Sequence, residues 1–131
     1  MPRFAYVNGR YLPHKEASVH VEDRGYQFAD GVYEVVTVYQ GKMVDEGPHL
    51  DRLERSLSEL RIAMPVSRRA LQWISRELLR RNDISNGLLY MQVTRGVAPR
   101  NHRFPKHARP ALVMTAKQTK PHASRMLEDP E

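Results

Sequence analysis

Residues 32–39, Val-Tyr-Glu-Val-Val-Thr-Val-Tyr, are rich in β-branched and aromatic side chains, and both alternating sets of this run are largely apolar. A strand with two apolar faces is one that is covered on both sides, by a domain or by a partner. Upstream, residues 4–7 and 10–12 flank Asn8-Gly9, which accepts the positive φ that a type I′ hairpin turn needs at both central positions. Residues 18–21 read as a short strand, and residues 22–31, with glycines and aspartates that break any period, as an ordered loop. A Gln40-Gly41 turn leads into 42–44 as a second hairpin.

The period then changes. From Pro48, Leu50, Leu53, Leu57 and Leu60 recur three or four apart among charged residues, which predicts an amphipathic helix. Pro65 closes that segment, Ser67 can cap the next, and Ala70, Leu71, Ile74 and Leu78 form the stripe of a second helix ending near Asn82. Residues 88–94 and 111–116 read as strands, separated by a long loop carrying Pro99, Pro105 and Pro110. Strands in hairpin order with two consecutive helices between them predict an α+β fold, an antiparallel or mixed sheet with two helices on one face, over residues 1–116. Residues 117–131 carry no period and read as linker or tail.

At 131 residues and 15.2 kDa the chain fits one domain. Its 40% hydrophobic and 27% charged content excludes disordered and fibrous classes. No run approaches the roughly 18 apolar residues that span a bilayer, and Met1-Pro2-Arg3-Phe4 lacks a signal-like apolar stretch, so a cytoplasmic location is expected. With no cysteine, disulfides, thiol catalysis and thiolate metal sites are excluded together. The formal charge of +6 favours an anionic partner, and the charge rests on arginine far more than lysine, the group that grips carboxylate or phosphate with paired hydrogen bonds.

Several groups could use that chemistry. Arg100 and His102 lie two apart in the proline-bearing loop, so an extended backbone points both to one side, toward a single carboxylate or simply toward solvent. Tyr33 either fills the core or aims its hydroxyl into a pocket, and Arg52 projects off the apolar stripe of the first helix. Arg69, Arg76 and Arg80 fall outside the stripe of the second helix, but Glu77 interrupts them, which argues against a nucleic-acid surface. The histidines at 14, 20, 49, 102, 107 and 122 include no helical metal-binding pair, so no metal site is expected, and neither a phosphate loop nor a nucleophile elbow occurs.

Three blocks in order carry a resemblance: residues 22–34 (EDRGYQFADGVYE), residues 49–53 (HLDRL), and residues 92–96 (QVTRG) with residues 99–105 (PRNHRFP). They resemble the D-amino-acid aminotransferases of the fold-type IV pyridoxal 5'-phosphate (PLP) enzymes, over about residues 6–116. The resemblance implies that Arg52 holds the phosphate of PLP, that Tyr33 lines the substrate side of the cofactor, and that Arg100 and His102 trap the α-carboxylate of a D-amino acid. In that family the trap reaches the active site of the partner subunit in a homodimer. Branched-chain aminotransferases and aminodeoxychorismate lyases share the fold but are not usually identified by the Pro-Arg-x-His-x-Phe-Pro block.

The family also uses a lysine that forms the internal Schiff base, in a second, larger domain. The lysines here, at 15, 42, 106, 117 and 120, lie in no segment resembling that motif, so the block residues assign no catalytic lysine. The expectation is an N-terminal small domain with the start of an interdomain linker, inactive without its missing C-terminal domain. The rival reading is a non-catalytic relative acting as a dimerising or anion- or RNA-binding module.

Overall fold

The structure is a computed structural model, which describes residues 3–97 and 109–119. Its sheet is built from β1 (Phe4–Val7), β2 (Arg10–Pro13), β3 (Gly31–Tyr39), β4 (Lys42–Met43), β5 (Gly87–Thr94) and β6 (Ala111–Gln118). These form one six-stranded sheet in the order β2-β1-β6-β5-β3-β4, every pairing antiparallel. The Asn8-Gly9 turn has φ of 47° and 94°, as its residues predict, and its Asn8 side chain accepts from the Leu112 amide at 2.7 Å, tying the hairpin to β6.

Between β4 and β5 run two helices, α2 (Glu46–Glu59) and α3 (Arg68–Arg81); a short α1 (Arg24–Phe28) precedes β3. Ser67 caps α3, its hydroxyl accepting from the Ala70 amide at 3.0 Å. α2 starts before Pro48, which is tolerated because a first-turn amide has no intrahelical acceptor. It ends in a Schellman-type turn, with Arg61 at φ 57° and the Ile62 amide donating to the Leu57 carbonyl at 2.9 Å. Leu60, expected on the apolar stripe, caps this turn and is exposed.

Strand register shows that both long helices cover the same face. Glu34, Met91, Met114 and Tyr6 lie opposite one another across four strands and share that face. Val36, Val38, Leu89 and Val93 of the same face pack with Leu50, Leu53 and Leu57 of α2 and Leu71 and Leu78 of α3 in a single core. The sheet with its two helices on one side is the expected α+β arrangement. Among the described residues no helix is long and apolar enough to cross a membrane.

Three expectations need correction. Residues 18–21 form no strand. The loop expected at 22–31 contains α1, whose start is fixed by the buried Asp23, its carboxylate accepting from the Gly25 amide at 2.7 Å. The described residues cover β3 on one side: the opposite face leaves Tyr33 71%, Tyr90 39% and Tyr39 36% exposed. Both long helices pack on the same side, so the second apolar face of β3 has no described element above it. The third is the end of the last strand, expected at 116 with linker from 117: β6 continues to Gln118, with Lys117 and Gln118 opposite Leu88 and Gly87.

This division of the sheet predicts an asymmetric mutational response. Leu78→Ala, at a fully buried position, is expected to cost about 2–5 kcal/mol in urea unfolding. Tyr90→Thr on the open face should cost under about 1 kcal/mol; equal losses would contradict the one-sided core.

Candidate functional site

One carboxylate sits on the covered face of β3 among valines. Glu34 is 4% exposed, and burial of an ionised carboxylate is tolerable only if its oxygens are met by donors. They are met from α2. Arg52 approaches side-on, Nε donating to Oε2 and Nη2 to Oε1, both at 2.8 Å. His49, one helical turn before Arg52, places Nδ1 2.8 Å from Oε1, and against an ionised carboxylate that nitrogen carries the hydrogen. Hydrogen bonds from Arg52 hold the Glu34 carboxyl below its ordinary range; burial opposes this, and His49 reinforces it.

Arg52 itself remains 57% exposed along its side chain. Beside it is a hollow of about 430 Å³ lined by Asp45, Pro48, His49, Asp51, Arg52 and Arg55. Guanidinium has five N–H donors, and Glu34 takes two. The geometry thus leaves an arginine fixed at one edge and open at the other, which can receive an anion.

A second carboxylate anchors the start of β3. Asp30 Oδ2 accepts from Arg24 Nε and Arg95 Nε, each at 2.8 Å, with all three side chains under 10% exposed. Burial alone would raise the Asp30 carboxyl, but the bonds from Arg95 and Arg24 outweigh it and hold it low. Arg95 also donates to the carbonyls of Leu60 at 2.7 Å and Arg61 at 3.2 Å, placing a cation at the C-terminus of α2, where the helix dipole favours it. Nearby, Asp23 accepts from the Thr94 hydroxyl at 3.1 Å, and the Arg24 amide donates to the Gly96 carbonyl at 2.8 Å. Gly96 has φ 101°, and a Cβ there would strike the Arg109 carbonyl, so only glycine fits.

The residues singled out in the sequence separate as follows. Arg52 stands at the hollow, off the apolar stripe of its helix as expected. Tyr33 lies on the opposite, open face of β3, beside Glu34 in sequence and bordering a shallow hollow with Tyr90 and Gln92. β4 pairs only with Val38 and Tyr39, so among the described residues one side of β3 is a free edge at residues 33 and 34. Tyr33 and Glu34, the carboxylate that holds Arg52, are successive residues of that strand and face its two opposite sides. Arg100 and His102 lie outside the described residues. The second-helix arginines are engaged on the surface: Arg76 with Glu46, and Arg80 and Arg81 with Glu77, whose carboxyl their hydrogen bonds lower to about 2. Among the described residues no group of His, Asp and Glu could hold a metal ion.

Sequence reasoning assigns Glu34, His49 and Asp30 no role. A signal exists for Glu34, the single charge on an otherwise valine-lined strand face, and for His49, three residues before Arg52 on one helix.

An α+β domain presenting a clamped guanidinium at a sheet edge is what fold and site define. Residues 31–129 match the family described as amino-transferase class IV. The chain belongs to that family. It is 43% identical over 113 residues to a D-alanine aminotransferase of Staphylococcus haemolyticus, covering 86% of this chain and 40% of that protein. It is 47% identical over 100 residues to a D-alanine aminotransferase of Listeria innocua, covering 76% and 35%. The chain thus spans at most two fifths of the length of these relatives. Its fold is that of a branched-chain amino acid aminotransferase from Escherichia coli, at a TM-score of 0.83 and 19% identity over 91% of this chain and 42% of that one. A second branched-chain amino acid aminotransferase, solved with pyridoxamine 5'-phosphate, matches at a TM-score of 0.83 and 18% identity over 92% and 41%.

Because the Glu34 and Asp30 carboxyls are both held low when folded, their stabilisation is complete above about pH 5, where the unfolded groups are ionised, and is lost as acid passes through the lowered folded values. The thermal midpoint is expected to be level from about pH 7 to 5.5 and to fall below about pH 4. Asp30→Asn should cost about 3 kcal/mol at neutral pH and flatten the acid limb. A midpoint that rises on acidification would contradict this.

Proposed function

We propose that the protein containing this chain is a PLP-dependent transaminase that moves an amino group between a D-amino acid, such as D-alanine, and a 2-oxo acid. The observation that carries this reading is the ordered set of three blocks, including Arg100 and His102, within a chain 43% identical to a D-alanine aminotransferase over 113 residues. PLP when bound would act as an electron sink for the substrate's Cα–H bond.

The residues present fit such a group. Arg52, with one edge clamped and the other open at a hollow, suits a phosphate carrying close to two negative charges. Tyr33, on the face of β3 opposite Glu34, would line the substrate side. Arg100 and His102 would hold the α-carboxylate and so orient the Cα–H bond, which turns a binding preference into a stereochemical one. In a homodimer these two would serve the partner subunit. The amine that reacts with the cofactor belongs, on this reading, to a further C-terminal domain, and the 131-residue chain alone is inactive. A chain without cysteine needs no oxidising compartment, and the reading places it in the cytoplasm.

Assaying the full-length protein with 2-oxoglutarate and either alanine enantiomer tests this. Turnover of D-alanine and not L-alanine is expected. Arg100→Ala should lower kcat/KM by about 2–4 kcal/mol of transition-state binding, roughly 30- to 1000-fold. Equal turnover of both enantiomers, or unchanged kinetics in the variant, would overturn it.

A further inference from the structure

The Arg52 side chain is long, more than half exposed, and carries rotamer freedom that an anion would have to freeze. Glu34 removes that freedom in advance. Its carboxylate is fixed by position on β3 and by His49, and it engages the Nε and Nη2 side of the guanidinium. Both N–H groups of Nη1 and the second of Nη2 remain, on the edge directed away from Glu34. Arg52 has no other partner among the described residues.

Charge alone does not make this a grip. Arg52 and Glu34 sum to zero, Asp51 is committed to Arg68 at 2.7 Å, and Asp45 offsets Arg55 around the hollow. An anion therefore gains from geometry: a planar fork already aimed, with no reorganisation cost on binding.

We propose that Glu34 is a positioning residue that fixes Arg52 side-on, so that a phosphate monoester is taken by the remaining Nη1/Nη2 edge while the Glu34–Arg52 pair stays intact. This rests on the reading of Arg52 as the phosphate grip. Glu34 touches no ligand; it acts through Arg52. His49 serves the same purpose one step removed, satisfying the carboxylate oxygen that Arg52 shares.

The informative substitution is Glu34→Asp, which keeps the charge but shortens the side chain by one methylene, so that from β3 it cannot span the fork. Inorganic phosphate is titrated into the ¹⁵N-labelled full-length protein freed of cofactor, with the Arg52 Nε–H resonance assigned by its disappearance in Arg52→Lys. In the unsubstituted chain that resonance should stay protected from solvent exchange at saturating phosphate. In Glu34→Asp it should lose protection, and the phosphate Kd should rise at least about fivefold, the scale set by one long side chain's rotamer entropy. Loss of the resonance on phosphate binding to the unsubstituted chain would show that the anion displaces Glu34 and would overturn its role. So would Glu34→Asp binding as tightly as the unsubstituted chain. Undiminished binding by Arg52→Lys would instead remove Arg52 as the grip, a failure of the underlying reading that the other two results do not produce.

Discussion

Helix α2 is fastened to strand β3 and to the residue before it by two carboxylates, and the position of Arg52 follows from those fastenings. Glu34 holds the middle of the helix directly through His49 and Arg52. Asp30 holds its C-terminal end through Arg95, which bridges to the carbonyls of Leu60 and Arg61. Between them lies the leucine stripe of α2, packed on the valine face of the sheet. Apolar packing sets which side of the helix faces the sheet, but it is non-directional; the two carboxylates fix rotation and register, which is what a guanidinium needs if it is to meet an anion at one place.

The same contacts join three separated stretches of sequence. Residues 22–34 bond to 49–53 through Glu34 and to 92–96 through Asp23, Arg24 and Asp30. Much of what marks the family in this chain is therefore internal bonding, with ligand chemistry carried by a few side chains that this bonding aims. Gly96 belongs to the first kind: its left-handed backbone against Arg109 lets the chain turn off β5.

Period and turn chemistry suffice for most of the framework. The Asn8-Gly9 hairpin, the two amphipathic helices with the Ser67 cap, and the long strand β3 are all readable because each is encoded locally. α1 is not, since a five-residue helix is too short to show a period and depends on Asp23 and its bond to Thr94, 71 residues away. The two-sided apolarity of β3 is legible in composition, but composition does not say what lies over each face: a sheet face can be apolar without the same segment of chain supplying its cover. For the site, Arg52 is identifiable by resemblance alone, since a place off the stripe is where any solvent-facing arginine sits, whereas Asp30, Arg24 and Arg95 converge only in three dimensions and look in sequence like ordinary surface charges.

A crystal structure of the full-length protein grown with PLP is the most direct measurement. The account predicts phosphate oxygens within about 3 Å of Arg52 Nη1 and Nη2, with Nε still bonded to Glu34. A phosphate seated elsewhere, or an Arg52 side chain swung away from Glu34 to reach it, would contradict the account.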